Sequence, residues 1–333
     1  MNKVLTIAIP SYNVQQYLRA SLDSYCCEPV DERLEILIVD DGSSDATAEI
    51  ALEYVQKFPG LFSLISKDNG GHGSAVNTGI DFATGRYFRV IDGDDRICSA
   101  NISALLDKLE ACADDLVIDV KREVTFGTGE SRRFDLPANL PLDESIPFKD
   151  VCLRNDIESS FQIHTLSMRT DFLRERRVKL LEHTFYVDYE LVVKVSAWAD
   201  TVRFLDLEVC NYYVGNIAQS VSPTNYVKRW DDHERVCREL LAFATESALD
   251  DTRKRFVEER VDLLVNTHYN IALIFDEDRR RGLMRARWFR DFLISDYPAF
   301  EKRSRTRYYQ ARILHHLGFD AKKLDRLMGR PTP

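Results

Sequence analysis

The chain is short of the features that would each name a function class at once. No uninterrupted apolar run approaches the ~18 residues of a membrane span. No basic-then-apolar leader precedes the first apolar segment, so a soluble, cytoplasmic protein is expected. The seven cysteines (Cys26, Cys27, Cys98, Cys112, Cys152, Cys210 and Cys237) are odd in number, scattered and without a CxxC pair. That usage suits a reduced compartment and argues against a disulfide framework or a zinc site. An excess of positive charge is also lacking: 45 Lys/Arg stand against 54 Asp/Glu, a formal net charge of −9, which argues against nucleic acid as the main partner. No GxGxxG follows the first apolar segment, where Pro10-Ser11-Tyr12-Asn13 stands instead, so a dinucleotide site is not expected. Internal repeats and low-complexity tracts are absent, and no loop offers a Ser/His/Asp or Cys/His nucleophile set.

What is present is 333 residues of 44% hydrophobic composition, enough for one large or two moderate domains with real cores. The charge is uneven. Residues 228–333 hold 23 Lys/Arg against 18 Asp/Glu, about +5, which leaves about −14 for residues 1–227.

Apolar runs at Val4–Pro10, Leu34–Val39, Phe62–Ile65, Tyr87–Ile91 and Leu116–Val120 read as strands. Between them, apolar residues recur at helical spacing: Leu18, Leu22 and Tyr25; Ile50, Tyr54 and Val55; Ala75, Val76 and Ile80; Ile102, Leu105 and Leu109. Ser43, Ser44 or Asp45 can cap the second of these helices. This alternation predicts a doubly wound α/β layer with a mostly parallel sheet, which binds ligands at the carboxyl ends of its strands. Residues 121–160 are less regular. Ile163–Met168 and Val202–Leu205 read as further strands, with a helix from near Asp188 through Trp198. From about residue 226 the pattern turns helical, and Arg279-Arg280-Arg281-Gly282 reads as a helix end or turn.

The strand-end loops are small and acidic. The fourth strand stops in Asp92-Gly93-Asp94-Asp95. Two like charges about 4 Å apart cost roughly 4 kcal/mol at an effective dielectric near 20, so a hard cation such as Mg²⁺ or Mn²⁺ is the simple remedy. Asp40 and Asp41 can accept hydrogen bonds from a base or ribose, and Tyr12 offers a stacking face. Gly70, Gly71 and Gly73 allow close backbone approach to a sugar or phosphate, and Asn77 can reach a diphosphate.

Four motifs in order, Pro10-Ser11-Tyr12-Asn13, Val39-Asp40-Asp41-Gly42-Ser43-Ser44-Asp45, Asn69-Gly70-Gly71-x-Gly73 with Asn77-x-Gly79, and Ile91-Asp92-Gly93-Asp94-Asp95, resemble the family 2 glycosyltransferases of GT-A fold. The likeness is strong over residues 1–115 and weaker over 160–222. It implies a GT-A domain at 1–225, with a nucleotide-sugar half (1–120) and an acceptor-side half (121–225), followed by a helical region at 226–333. It also implies transfer with inversion from a nucleoside-diphosphate sugar, most often a UDP-sugar, to a glycan, glycoprotein or lipid-linked acceptor.

On that resemblance the donor is held by Pro10, Tyr12, Asn13, Asp40, Asp41, Asn69, Gly71, His72, Gly73, Asn77, Asp92, Gly93 and Asp95. Asp94, with Asp92, ligates Mn²⁺ or Mg²⁺. The family's Arg before the Asn of Asn-x-Gly is replaced by Val76, and His72 is the substitute on offer. The family's Glu-Asp pair before a helix becomes Val187-Asp188, with Asp188 the expected base and Glu190, Glu182 and His183 in reserve. Partial positive charge at that helix start favours the ionised Asp188. Tyr212–Gly215 and Ser220–Ser222 resemble a closing strand and loop over the donor.

The C-terminal helices set Trp288, Phe289, Phe292, Tyr308 and Tyr309 among arginines 285, 287, 290, 303, 305, 307 and 312. Three readings stand: a bundle with a solvated basic face, peripheral attachment at the inner face of an anionic membrane, or a homo-oligomer contact. For the chain as a whole, the alternatives to a transferase in surface-polysaccharide synthesis are a catalytically silent sugar-nucleotide-binding subunit and a nucleotidyltransferase.

Overall fold

A computed structural model of the chain describes residues 3–26, 30–215, 222–321 and 323. Two compact units emerge, residues 1–217 and 218–333, so the division falls eight residues before the expected 225/226. Cys27 and the expected closing loop up to Val221 lie outside the described residues.

The first unit is built on one mixed sheet. Its strands are β1 (Leu5–Ser11), β2 (Leu34–Asp40), β3 (Phe62–Ser66), β4 (Tyr87–Val90), β5 (Arg96–Ile97), β6 (Leu116–Thr125), β7 (Ser131–Arg133), β8 (Ile146–Pro147), β9 (Leu166–Arg169) and β10 (Thr201–Val214). They lie in the order β3-β2-β1-β4-β9-β6-β10-β5, with β7 on β6 and β8 on β10. The half β3-β2-β1-β4 is parallel throughout, as is the long β6–β10 pair. β9 runs antiparallel between β4 and β6 and joins the two halves.

Helices α1 (Gln15–Asp23), α2 (Thr47–Lys57), α3 (His72–Phe82), α4 (Ile102–Ala111), α5 (Phe148–Val151), α6 (Thr170–Glu175) and α7 (Val187–Trp198) complete this unit. Every residue of β1 is buried, because helices cover both faces of a parallel sheet. The core on one face joins Leu18, Leu22, Ile50, Tyr54, Leu105 and Leu106 from the helices to Ile7, Ile9 and Ile36 from the strands. The helix starting near Asp188 falls where expected, whereas Ile163–Thr165 is a 3₁₀ turn and only Leu166–Arg169 is strand. α2 carries no side-chain cap at Ala46; Asp45 instead accepts from the Thr47 main-chain N–H at 3.0 Å and from its hydroxyl at 2.6 Å.

A charge sits in the middle of this sheet. Arg89 on β4 and Asp119 on β6 are both fully buried and form a bidentate pair, and the guanidinium also donates to Ser167 Oγ and to the His164 carbonyl at 2.6 Å. The pair spans β9 and ties together the two parallel halves.

The second unit consists of α8 (Pro223–Lys228), α9 (Trp230–Glu246), α10 (Asp251–Asn270), α11 (Arg279–Asp296) and α12 (Pro298–His316). Arg279–Gly282, expected as a helix end or turn, is a helix start. Asp278 accepts from the main-chain N–H groups of Arg280 and Arg281, and this cap outweighs the unfavourable placement of arginines at a positive helix pole.

Removing one member of a buried ion pair costs about 3–5 kcal/mol, because the other is left uncompensated. Arg89→Met should lower the stability of the first unit by that amount in urea unfolding, and Arg89→Met/Asp119→Leu should recover most of it. A single variant as stable as the parent would show that the pair does not join the halves.

Candidate active site

The site grows from the carboxyl ends of β1, β2 and β4. After β4 the Ile91 N–H still bonds to Ala8 at 3.1 Å, and the chain then turns sharply, Asp95 N–H donating to the Asp92 carbonyl at 3.0 Å. This turn brings one oxygen each of Asp92, Asp94 and Asp95 within 4.8 Å of one another. Asp95 is buried; its Oδ1 accepts from the Tyr213 main-chain N–H at 2.8 Å, and its Oδ2 has no hydrogen-bond partner.

Burial first, and then the negative charge of Asp92, pushes Asp94 up to about 6. The same causes, with Asp94 added, drive Asp95 well above the ordinary carboxylate value. Asp92 goes the other way. Burial acts to raise it, but His72, whose Nε2 lies 2.9 Å from Asp92 Oδ1, outweighs burial and leaves the carboxyl lowered. By the same contact His72 is raised despite its own burial. His72 therefore stands against the acidic turn, while Val76, in place of the family's arginine, is wholly buried in the core.

The other expected donor residues are tightly used by their own loops. Asn13, in a left-handed conformation, accepts from Ser44 N–H at 2.9 Å and donates its own N–H to Ser43 Oγ, lacing the β1 loop to the β2 loop. Asp40 accepts from Ser43 N–H. Asp41 is buried and accepts from Gly70 N–H (2.9 Å), Gly71 N–H (2.7 Å) and Lys67 Nζ (2.8 Å). Asn69 donates to the Asp41 carbonyl. Tyr12 is the contrast, with 52% of its surface exposed and its ring open. Pro10 pairs with Val39 within the sheet, and Gly93 packs near Val14 and Ser11.

The glycines after β3 serve first to admit the chain itself. A Cβ on Gly73 would lie 2.2 Å from the Leu181 carbonyl oxygen, and Gly71, at φ +83°, faces the backbone of His183. Asn77 bonds both ways to Leu180, donating to its carbonyl at 3.0 Å and accepting its N–H at 2.9 Å. The strut formed by residues 180–184 is thus clamped onto α3, and it leads directly into α7.

Asp188 is the second residue of α7, open to solvent but ringed by protein. Burial raises its carboxyl, Asp92 adds to this, and the charge of His72 and main-chain N–H groups at the helix start oppose it. The helix pole was expected to favour the ionised form; desolvation outweighs it. Glu190 is removed from the reserves, being fully buried and bound to Lys194 Nζ at 2.6 Å and to Leu181 N–H at 3.2 Å. Glu182 and His183 are exposed on the strut.

Sequence reasoning missed Lys67, His164 and Lys121, and read Tyr212 only as part of a closing strand. His164 stacks on Tyr212 at 4.5 Å, and burial lowers it to about 3. Lys121 lies over the same Tyr212 ring at 4.6 Å. The available signal was charge on the buried part of β6, at Asp119 and Lys121; the Lys121–Tyr212 and His164–Tyr212 contacts join segments more than 40 residues apart.

Comparisons with known proteins bear on the family and the fold. The family model described as glycosyl transferase family 2 matches residues 6–178. The chain is similar to the uncharacterized glycosyltransferase EpsJ of Bacillus subtilis, 35% identical over 35% of this chain and 33% of EpsJ. It is also similar to the uncharacterized glycosyltransferase YibD of Escherichia coli, 27% identical over 65% of this chain and 63% of YibD. The alignments thus span about a third of the first relative and under two thirds of the second. In fold it is similar to Staphylococcus aureus TarS 1-349, solved in complex with UDP-GlcNAc, with a TM-score of 0.69 at 16% identity over 99% of this chain and 93% of that one. The mannosyltransferase PcManGT of Pyrobaculum calidifontis, in complex with GDP-Man and Mn²⁺, gives 0.55 at 14% identity, covering 97% of this chain and 88% of that one. The expected GT-A layer followed by a helical region is therefore the fold observed, and the chain belongs to glycosyl transferase family 2.

Proposed function

We propose that the chain is an inverting, divalent-cation-dependent glycosyltransferase, which moves a sugar from a UDP-sugar to a hydroxyl of a surface polysaccharide or glycoconjugate. The observation that carries this reading is the Asp92–Asp95 turn, with one buried carboxylate oxygen unpartnered and with His72 and Asp188 beside it. Three oxygens within 4.8 Å, two of them on carboxyls raised by desolvation and mutual repulsion, fit a hard cation such as Mn²⁺ or Mg²⁺. Asp94 and Asp92 would hold it, with Asp95 in support. When bound, such an ion offsets the charge that develops on the departing diphosphate. UDP as the nucleotide is supported by the TarS complexes with UDP-GlcNAc and UDP, and a surface-polymer acceptor by the similarity to a minor teichoic acid biosynthesis protein, GgaB of Bacillus subtilis.

The chain's own residues do the rest. Tyr12 offers its open ring to the base. Pro10, Asn13, Asp40, Asp41, Asn69, Gly71, Gly73, Asn77 and Gly93 shape the walls, most of them by fixing loops. His72 holds Asp92 and stands where the diphosphate would need a donor. The acceptor hydroxyl oxygen bonds to the anomeric carbon as the bond to the diphosphate breaks on the opposite face, and the hydroxyl proton passes to Asp188. A carboxylate whose affinity for a proton is raised by burial takes one more readily than a free carboxylate.

Asp94→Asn should remove metal-dependent transfer from a UDP-sugar by at least about 100-fold, the scale of losing one such electrostatic group. Undiminished turnover would sink its role as ligand. Asp188→Asn should lower transfer by roughly 10²–10⁴-fold while leaving the thermal shift by UDP-sugar and Mn²⁺ intact; donor binding without transfer in the parent chain would favour the silent-subunit reading, to which Val76 and Val187 lend themselves. Asp94 stands at about 6 without the ion, so it binds a proton as pH falls through that value, and the cation must compete. Mn²⁺ affinity by calorimetry should therefore weaken at least about tenfold between pH 7 and pH 5, and a flat profile would contradict ligation by Asp94.

A further inference from the structure

The second unit holds a cluster that sugar transfer does not use. His233 and Cys237 are four residues apart and share one face of α9, and His268 comes from the adjoining α10. All three are buried, and one ligand atom of each lies within 4.8 Å of the others. His233 Nδ1 is 3.1 Å from His268 Nδ1 and 3.5 Å from Cys237 Sγ. Zinc bonds of ~2.0–2.1 Å to imidazole and ~2.3 Å to thiolate, spread at tetrahedral angles, set N···N at about 3.3 Å and N···S at about 3.6 Å. The two distances from His233 Nδ1 match those spacings, and the His268–Cys237 pair lies within 4.8 Å.

Hydrogen bonding alone serves these atoms poorly. Two partners converge on the single lone pair, or the single proton, of His233 Nδ1. The second nitrogen of His268 is buried with no hydrogen-bond partner, and ligation through Nδ1 would fix it as an N–H donor. The surroundings are apolar and close. Trp230 stacks on His268 at 3.6 Å and Phe289 meets it edge-on at 4.4 Å, which fixes the ring and keeps water out.

We propose that His233, Cys237 and His268 form a site for a borderline-soft divalent cation of the zinc class. The two imidazoles bind through nitrogen and Cys237 through thiolate sulfur, its proton leaving to solvent as the metal–sulfur bond forms. Oxygen-preferring Mg²⁺ and Mn²⁺ are poor fits to this donor set, which separates it from the carboxylates of the first unit. The absence of CxxC spacing does not exclude it, because the ligands come from two packed helices rather than one loop.

Co²⁺ as a stand-in for Zn²⁺ reads this site selectively, since only a thiolate ligand gives a sulfur-to-cobalt charge-transfer band. The full chain titrated with Co²⁺ should develop that band with about one equivalent and lose it on adding Zn²⁺. Cys237→Ser, near-isosteric and checked for folding by circular dichroism, should lose the band; Asp94→Asn should keep it. Zn²⁺ should raise the melting temperature of the parent and of Asp94→Asn, and raise that of Cys237→Ser less. No band in the folded parent at saturating Co²⁺, or a band that survives in Cys237→Ser, overturns the proposal.

Discussion

Three carboxylates held at the end of one buried strand are the constraint around which the first unit is arranged. Their repulsion would splay an ordinary turn. It is contained by groups from distant parts of the chain: the Tyr213 N–H fixes Asp95, and His72 fixes Asp92. Tyr213 lies on β10, so the acidic turn after β4 is complete only when the far half of the sheet has formed. The Arg89–Asp119 pair across β9 has the same consequence. Burying two charges in mid-sheet is a poor source of stability, but it fixes register strongly, because any slip leaves a charge unpaired in the core.

The second constraint is steric. α3 begins with small residues because the strut 180–184 lies against it. With Leu181 O only 2.2 Å from where a Gly73 side chain would begin, any other residue would push the strut outward, and with it Asp188 at the start of α7. Asn77 acts in the same direction, its amide mimicking a strand partner for Leu180. The donor-side helix thereby sets the position of the expected base. A glycine-rich loop that sequence reading assigns to phosphate approach spends its small residues on holding the two halves of the site in register.

The parallel half of the sheet and the acidic strand end were legible because parallel strands are apolar on both faces and their loops gather at one edge. Asp92, Asp94 and Asp95 lie with one oxygen each within 4.8 Å of one another, and His72 Nε2 is 2.9 Å from Asp92. β9 was half legible: the segment 163–168 read as a strand, but its antiparallel direction depends on pairing with both β4 and β6. Asp41 shows what packing adds to the sequence reading. From sequence it is a free acceptor, whereas its oxygens are taken by Gly70, Gly71 and Lys67, a contact set formed across some 30 residues. Glu190 read as a spare base for the same reason; its burial and its bond to Lys194 appear only once the helix is packed. Arg279–Arg281 misled because basic residues favour helix ends, and the cap at Asp278 reverses that preference.

The charge excess of the C-terminal segment has a related explanation. Attraction to an anionic surface needs cations free to face it, at about 1 kcal/mol each. Among the arginines that suggested such a surface, Arg285 reaches Asp276, Arg290 and Arg305 close on Glu301, and Arg303 bridges Glu258 and Asp262. Arg307 donates to Asn270. The aromatic residues divide likewise: Phe289 and Tyr308 are core, while Trp288 and Tyr309 stay half exposed. Most of the basic-aromatic pattern is therefore the bundle's own packing code, in which guanidinium groups lie over rings and bind carboxylates between helices. Five of the seven arginines that suggested a surface are thus already engaged within the bundle, and the net charge of the segment makes no such discount.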